Sequence, residues 1–233
     1  MGKLAFLFPG QGAQVVGMGK DFYDSYDLAK KRFAEADEAL GYSISKLCFE
    51  GPADQLQLTE HTQPAILTTA VIASELLRAE GIEPEIAAGH SLGEYAALVA
   101  AGVLSFQDAV LLVHKRGAYM QEAVPVGEGA MAAVIGLDDE TIISVCAEAS
   151  SVGAVQAVNF NCPGQTVIAG TAKGVETAVQ HLQEKGAKKA VILPVSAPFH
   201  STLMEPAAKK LAVELDKVQL RDAAFPVVSN YTG

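Results

Sequence analysis

Apolar positions come in short runs and helical stripes that alternate along this chain. Lys3 to Phe8 is almost unbroken apolar sequence, stopped by Pro9-Gly10, and predicts a strand buried on both faces. Helical sequence follows from about Asp21, and Phe22 to Leu40 predicts one helix. A second helix is expected from Pro64 to Glu80, with Pro64 in its first turn, where the missing N–H does no harm. Glu85-Ile86-Ala87-Ala88 after a Gly-Ile-Glu-Pro turn predicts another buried strand. Glu94 to Ala101 is rich in Ala and Leu, has an acid in its first turn and is followed by Gly102, the marks of a helix with both ends signalled.

From Gly129 to Ser196 the rhythm changes. Strand-like Ala130 to Gly136 precedes helix-like Asp138 to Ala149, and strand-like Val155 to Asn159 and Thr166 to Ala169 flank a Pro163-Gly164 turn. Helix-like Ala172 to Glu184 and strand-like Ala190 to Val195 complete a β-α-β-β-α-β order, which predicts a ferredoxin-like unit. The expected organisation is a subdomain at 128–196 inserted into a larger α/β domain formed by 1–127 and 197–233, with a ligand cleft between them. After the insert come a helix from about Leu203 to Leu215 and an apolar run, Phe225 to Ser229. Three strands are few for a doubly wound sheet, so the chain reads as cut short at its C-terminal end.

Composition narrows the function classes. Half of the 233 residues are hydrophobic and 19% are charged, which fits a buried sheet and excludes disorder. A net charge of −10 argues against general nucleic-acid binding, which needs a basic footprint, although local basic patches remain compatible with it. Cys48, Cys146 and Cys162 are scattered and odd in number, so neither a disulfide framework nor a metal site is expected. Leu4 to Phe8 is too short for a signal peptide core, and polar residues interrupt Ala65 to Leu77; a cytoplasmic protein without a membrane span is expected.

The chemistry concentrates at Gly89-His90-Ser91-Leu92-Gly93, the Gly-x-Ser-x-Gly spacing of a nucleophile elbow. The spacing alone is weak evidence, but here it falls between an expected strand and an expected helix, as an elbow requires. Glycines two residues to either side leave the backbone free to turn sharply and present the serine hydroxyl. A second strand–loop–helix unit opens the chain at Pro9-Gly10-Gln11-Gly12, and in a parallel sheet both loops would reach the same crevice. A serine nucleophile needs a base. His200, after Pro198-Phe199 and before a helix, is the candidate, although a capped or surface histidine has the same signature. His90 adjoins the serine on a turn where neighbours point apart, and His61, His114 and His181 lack a motif.

These elements, with Thr62-Gln63-Pro64-Ala65, Glu94-Tyr95, Arg116-Gly117, Asn159-Phe160-Asn161, Pro163-Gly164-Gln165 and Pro198-Phe199-His200 in this order, make the chain resemble a known family over essentially its whole length. It is similar to the malonyl-CoA:acyl carrier protein transacylases of type II fatty-acid synthesis and, more distantly, to the acyltransferase domains of polyketide synthases. The resemblance implies an α/β-hydrolase-like large domain with a ferredoxin-like insert. It implies Ser91 as nucleophile, His200 as base, the N–H groups of Gln11 and Leu92 as oxyanion hole, and Arg116 as the partner of the malonyl carboxylate. Gln63 would line the pocket, and Phe199 would limit space for a branched acyl group.

The implied partners are malonyl-CoA and acyl carrier protein, with no cofactor, metal, nucleic acid or membrane. Because carrier proteins are acidic, a basic docking patch is expected among Lys115, Lys188, Lys189, Lys209 and Lys210. Members of the family continue beyond Gly233 and take from that continuation the carbonyl that orients the histidine. Two other readings stay open from the residues: a serine hydrolase or thioesterase with water as acceptor, and a truncated chain that binds CoA or carrier without turnover.

Overall fold

The N-terminal apolar run becomes strand β1 (Ala5–Phe8) in a computed structural model that describes residues 3–125, 127–195 and 197–233. Contacts divide the chain into two compact units, Met1–Ala118 with Leu211–Gly233, and Tyr119–Lys210.

In the first unit, β1 is followed by α1 (Lys20–Ser25), α2 (Asp27–Leu40), α3 (Ile44–Glu50), α4 (Ala53–Leu56), α5 (Thr59–Ala79), β2 (Ile86–Gly89), α6 (Gly93–Ala100) and the start of α7 (Phe106–Ala123). Three parallel strands lie in the order β1-β2-β7, where β7 is Val227–Val228. Phe8 pairs with Gly89 in register, so the loops after β1 and β2 leave the sheet side by side. Phe6, Phe8, Phe33, Ile44, Leu67, Ile72 and Ala87 belong to one core.

Three expectations are corrected here. β1 is buried on one face only: Phe6 and Phe8 point inward while Leu7 is 78% exposed, because among the described residues the sheet face that carries Leu7 is left uncovered at β1. The helix expected over Phe22 to Leu40 is two helices, parted where Tyr26 takes an extended conformation (φ −132°, ψ 127°). α5 begins at Thr59, so Pro64 lies inside it and not in its first turn.

The second unit carries β3 (Gly129–Ile135), α8 (Asp139–Ala149), β4 (Val155–Cys162), β5 (Gln165–Thr171), α9 (Ala172–Glu184) and β6 (Lys189–Ile192). Its sheet has the order β4-β5-β3-β6, and each neighbouring pair is antiparallel. Helix starts are capped by side chains: Asp138 accepts from Thr141 N–H, and Thr171 from Gly174 N–H, satisfying N–H groups a helix leaves unpaired. Ile142, Val145, Ile168, Val175 and Leu182 fill one core.

This unit is wider than the 128–196 read from sequence. The reason is a separate apolar cluster of Met120 from the end of α7 and Val124 just beyond it, Met131, Val167 and Ala169 from the sheet, and Phe199, Met204 and Ala207. Ala207 opens α10 (Glu205–Leu215), so the first turns of that helix belong here as well. Ser196, the expected far boundary of the insert, lies outside the described residues.

Candidate active site

Two glycines shape the elbow by touching. A Cβ built on Gly89 would overlap the carbonyl group of Gly93, and one built on Gly93 would overlap the carbonyl oxygen of Phe8. Backbone therefore packs on backbone between β2, α6 and the end of β1. Gly10 closes the same contact from the other loop, because its Cβ would lie 2.5 Å from His90 O and 2.7 Å from His90 Nδ1. His90 N–H donates to Phe8 O at 3.0 Å. The two glycine-rich loops that the sequence singled out are thus in contact.

Ser91 sits at the centre with φ 50°, a left-handed conformation that costs a non-glycine residue about 1–2 kcal/mol. Its N–H donates to Asn230 Oδ1 at 2.6 Å. Gly93, Glu94 and Tyr95 N–H donate to the carbonyl groups of His90, Ser91 and Leu92. Among the described residues no acceptor is recorded for Leu92 N–H, and Leu92 itself is buried. Gln11 anchors the facing loop by donating from Nε2 to Thr59 Oγ1 at 3.2 Å.

Arg116 reaches this point from α7. Its Nη2 donates to Ser91 Oγ at 3.1 Å and its Nη1 to Gln63 Oε1 at 2.8 Å. The guanidinium carbon lies 5.8 Å from the Tyr95 ring centroid, within cation–π range. Burial lowers the proton affinity of Arg116 below its ordinary value, opposed by Tyr95 and Glu94, but a guanidinium starts so high that it stays charged at neutral pH. Gln63 is fully buried.

The neighbouring residues explain how α7 comes so close. A Cβ on Gly117 would lie 2.5 Å from Thr59 O and 2.6 Å from Glu60 Cα, so only glycine lets α7 rest on the first turn of α5. Pro64 has no N–H to give Glu60, four residues earlier. His114 Nδ1 lies 3.0 Å from that carbonyl oxygen instead, so Nδ1 carries the proton and donates. Lys115 pairs with Glu214 at 2.6 Å, and hydrogen bonds from Lys115 and Lys217 hold the Glu214 carboxyl down at about 2.

Charge accounting sets Arg116 apart. Arg32, another partly buried arginine, is paired with both Glu75 and Glu35 at 2.6 Å. Among the described residues no carboxylate forms an ion pair with Arg116; its recorded acceptors are a neutral amide and a hydroxyl. A partly buried cation without an anion is costly, and a carboxylate fits its planar fork.

In the second unit, His200 is exposed and has φ 63°. Its turn is held by Ser201, whose Oγ donates to Pro198 O at 2.7 Å, and by Phe199, buried in the cluster with Met131 and Met204.

Of the five candidate docking lysines, three are already paired: Lys115 with Glu214, Lys209 with Glu205 and Lys210 with Glu122. Lys188 and Lys189 are exposed and have no ion pair among the described residues. No group of three or more His, Cys, Asp or Glu side chains is placed to hold a metal ion among the described residues. No helix there is long and apolar enough to cross a membrane.

Sequence reasoning missed Asn230, Tyr95 and His114 at this site. Each acts through a contact across at least twenty residues of chain, which periodicity does not report.

Comparison with known proteins gives a consistent result. The profile of the acyl transferase domain matches residues 5–232. The malonyl CoA-acyl carrier protein transacylase of Bacillus subtilis (strain 168) is 56% identical over 231 residues, covering 99% of this chain and 73% of the relative. The structure of the corresponding transacylase from Coxiella burnetii superposes with a TM-score of 0.96 at 46% identity, covering 98% of this chain and 72% of that one. A type II PKS acyl-carrier protein in complex with its malonyl-transacylase matches with a TM-score of 0.95 at 46% identity, covering 98% of this chain and 74% of that chain. With most of its length matched by the profile and more than half of its residues shared with a curated relative, the chain belongs to the acyl transferase domain family.

Proposed function

We propose that this protein moves a malonyl group from malonyl-CoA to the phosphopantetheine thiol of acyl carrier protein, through an ester on Ser91, in fatty-acid synthesis. The observation that carries the reading is the fork of Arg116, unpaired with any carboxylate among the described residues and 3.1 Å from Ser91 Oγ. Malonyl presents a free carboxylate one carbon away from the thioester carbonyl. A guanidinium beside the nucleophile holds that carboxylate while the carbonyl faces the serine. Gln63, fixed by its bond to Arg116, keeps the fork aimed.

In the first half-reaction Ser91 Oγ attacks the thioester carbonyl carbon while His200 accepts the hydroxyl proton. The N–H groups of Gln11 and Leu92 stabilise the oxyanion. The C–S bond then breaks, and coenzyme A leaves with the proton held by His200. In the second half the carrier thiol gives its proton to His200 and its sulfur attacks the ester. The C–Oγ bond breaks and Ser91 recovers its proton. No metal or redox cofactor enters these steps. Phe199 restricts the acyl group on the histidine side, and Lys188 and Lys189 are the docking candidates that remain after ion pairing is considered.

The strand order β4-β5-β3-β6 with two helices supports a ferredoxin-like insert centred on 128–196. The parallel sheet with its elbow supports an α/β-hydrolase-like large domain made of 1–127 and 197–233. A cytoplasmic location suits a protein that meets coenzyme A and carrier protein.

Mass spectrometry after incubation with malonyl-CoA tests the reading. The expected result is an adduct of about 86 Da on the protein, the malonyl ester of a nucleophilic serine, absent from Ser91→Ala and discharged by holo-carrier protein. Release solely as free malonate would make the protein a hydrolase. A folded wild-type protein with no adduct would overturn the reading.

A further inference from the structure

Asn230 makes three hydrogen bonds to the elbow from a position 139 residues away in sequence from Ser91. Its Oδ1 accepts from Ser91 N–H at 2.6 Å, its Nδ2 donates to Gly89 O at 2.6 Å, and its own N–H donates to Glu94 Oε2 at 3.2 Å. Strand pairing explains how it gets there. β7 runs parallel to β2 with Val228 opposite Ala88, so Asn230, two residues on, arrives beside the first residues beyond β2.

The ladder stops at that point, because β2 ends at Gly89 and the chain turns away into α6. Gly89 O and Ser91 N–H flank His90, and a continuing parallel strand would have bonded both with one of its residues. The carboxamide of Asn230 offers an acceptor and a donor on one planar group, much as a peptide unit does. It takes the place of the absent ladder partner.

We propose that Asn230 is a positioning residue for the nucleophile: its carboxamide holds Ser91 in the left-handed conformation and reserves Ser91 N–H. The inference rests on the reading of Ser91 as nucleophile. Two consequences follow from the bonds. With Ser91 N–H committed to Asn230, the donor that the elbow offers an oxyanion is Leu92 N–H. And because the two bonds flank His90 and fix the peptide groups that lead into Ser91 and its φ of 50°, losing them frees the backbone to relax toward right-handed geometry, which swings Oγ away from the fork of Arg116. Arg116 is joined to Gln63 and to Ser91 Oγ by its own bonds from α7, so substrate binding is a separable property.

The test compares wild type, Asn230→Ala and Asn230→Asp in two assays. One is the rate at which Ser91 reacts with a small fluorophosphonate, which needs no malonyl or CoA contact. The other is steady-state transfer from malonyl-CoA. For Asn230→Ala we expect fluorophosphonate labelling and kcat each to fall by about 10- to 100-fold, as misplacement of a nucleophile by a fraction of an ångström does. KM for malonyl-CoA should stay within about threefold, since the Arg116 fork keeps its own supports.

Asn230→Asp keeps the acceptor for Ser91 N–H but not the donor to Gly89, and it preserves side-chain volume should the alanine variant fail to fold. It should be slower than wild type in both assays by at least about threefold, the loss of one partly buried hydrogen bond. If wild type is labelled and both folded variants are labelled at the same rate, the inference is wrong and the Ser91 reading stands. A rise in KM with unchanged kcat would also overturn it. If wild type accepts neither reagent, the Ser91 reading fails and the inference falls with it.

Discussion

Ser91 and His200 share a backbone feature: among the described residues they are the two non-glycine positions with positive φ, at 50° and 63°. They are held in that conformation by different means. Around Ser91 the supports are polar and close, with backbone packed on backbone at Gly89 and Gly93 and the carboxamide of Asn230 bonded on both sides of His90. Around His200 the flanking residues are anchored by packing and by bonds of their own: Phe199 and Pro198 are buried, Ser201 donates from N–H and Oγ to Pro198 O, and Thr202 N–H donates to Gln156 Oε1. Hydrogen bonds fix atoms in direction as well as distance, whereas apolar packing fixes a loop by shape. Ser91 therefore owes its setting to backbone contacts and to bonds from a distant strand, whereas the turn that carries His200 combines bonds of its own with the packing of Phe199.

Substitutions can break this contrast, beginning with the most severe. Gly89→Ala drives a methyl group into the Gly93 carbonyl, so the elbow has to open. We expect a loss of about 3 kcal/mol in urea unfolding together with disappearance of the malonyl adduct. A variant of wild-type stability and reactivity would show that the glycine contact is dispensable.

Arg116→Ala leaves the elbow bonds in place and removes the fork. Charged hydrogen bonds of this kind contribute about 1.5–3 kcal/mol, so malonyl transfer measured as kcat/KM should fall by about 10- to 150-fold. Acetyl transfer, which has no carboxylate to hold, should fall far less. An unchanged malonyl-to-acetyl ratio would remove Arg116 from the carboxylate site.

The smallest effect compares the two strained residues directly. At each position the glycine and alanine variants lose the same functional group and differ in tolerance of positive φ. Ser91→Gly should be more stable than Ser91→Ala by about 1 kcal/mol in thermal or urea unfolding, and the same difference is expected between His200→Gly and His200→Ala. A difference at one site alone would mean that the other relaxes when its side chain is cut.

Much of this contrast was legible in the sequence, and the illegible parts share a cause. The elbow could be read because its glycines, strand and helix all fall within about fifteen residues, where local chemistry speaks for itself. The six elements of the insert were legible in order for the same reason, with capping acids and turn glycines at their ends. Arg116 carried no signal of its own; the family resemblance pointed to it. Its setting follows from Gly117 lying against Glu60 and from the Pro64 gap filled by His114.

Asn230 was invisible because its role depends on the parallel register of a two-residue strand. The start of α5 was misplaced because proline usually marks a first turn, and here a histidine from another helix makes an interior proline tolerable. No proline or glycine announces the break at Tyr26. The exposed face of β1 depends on what packs over the sheet at Leu7, which strand composition does not report.

The glycine contact at the elbow also bears on how acyl preference can change over evolution or by engineering. Gly89, Gly93 and Gly10 leave no room for a side chain, so that side of the reaction centre offers no position to vary. Within the first unit, diversification is left to the helices α5 and α7, where Gln63 and Arg116 stand. Those two helices meet at Gly117, so a change of specificity that alters their spacing would carry the nucleophile's hydrogen-bond partner with it. The spacing of the two helices, and with it the reach of Arg116 toward Ser91 Oγ, thus turns on a glycine that packs against Thr59 and Glu60.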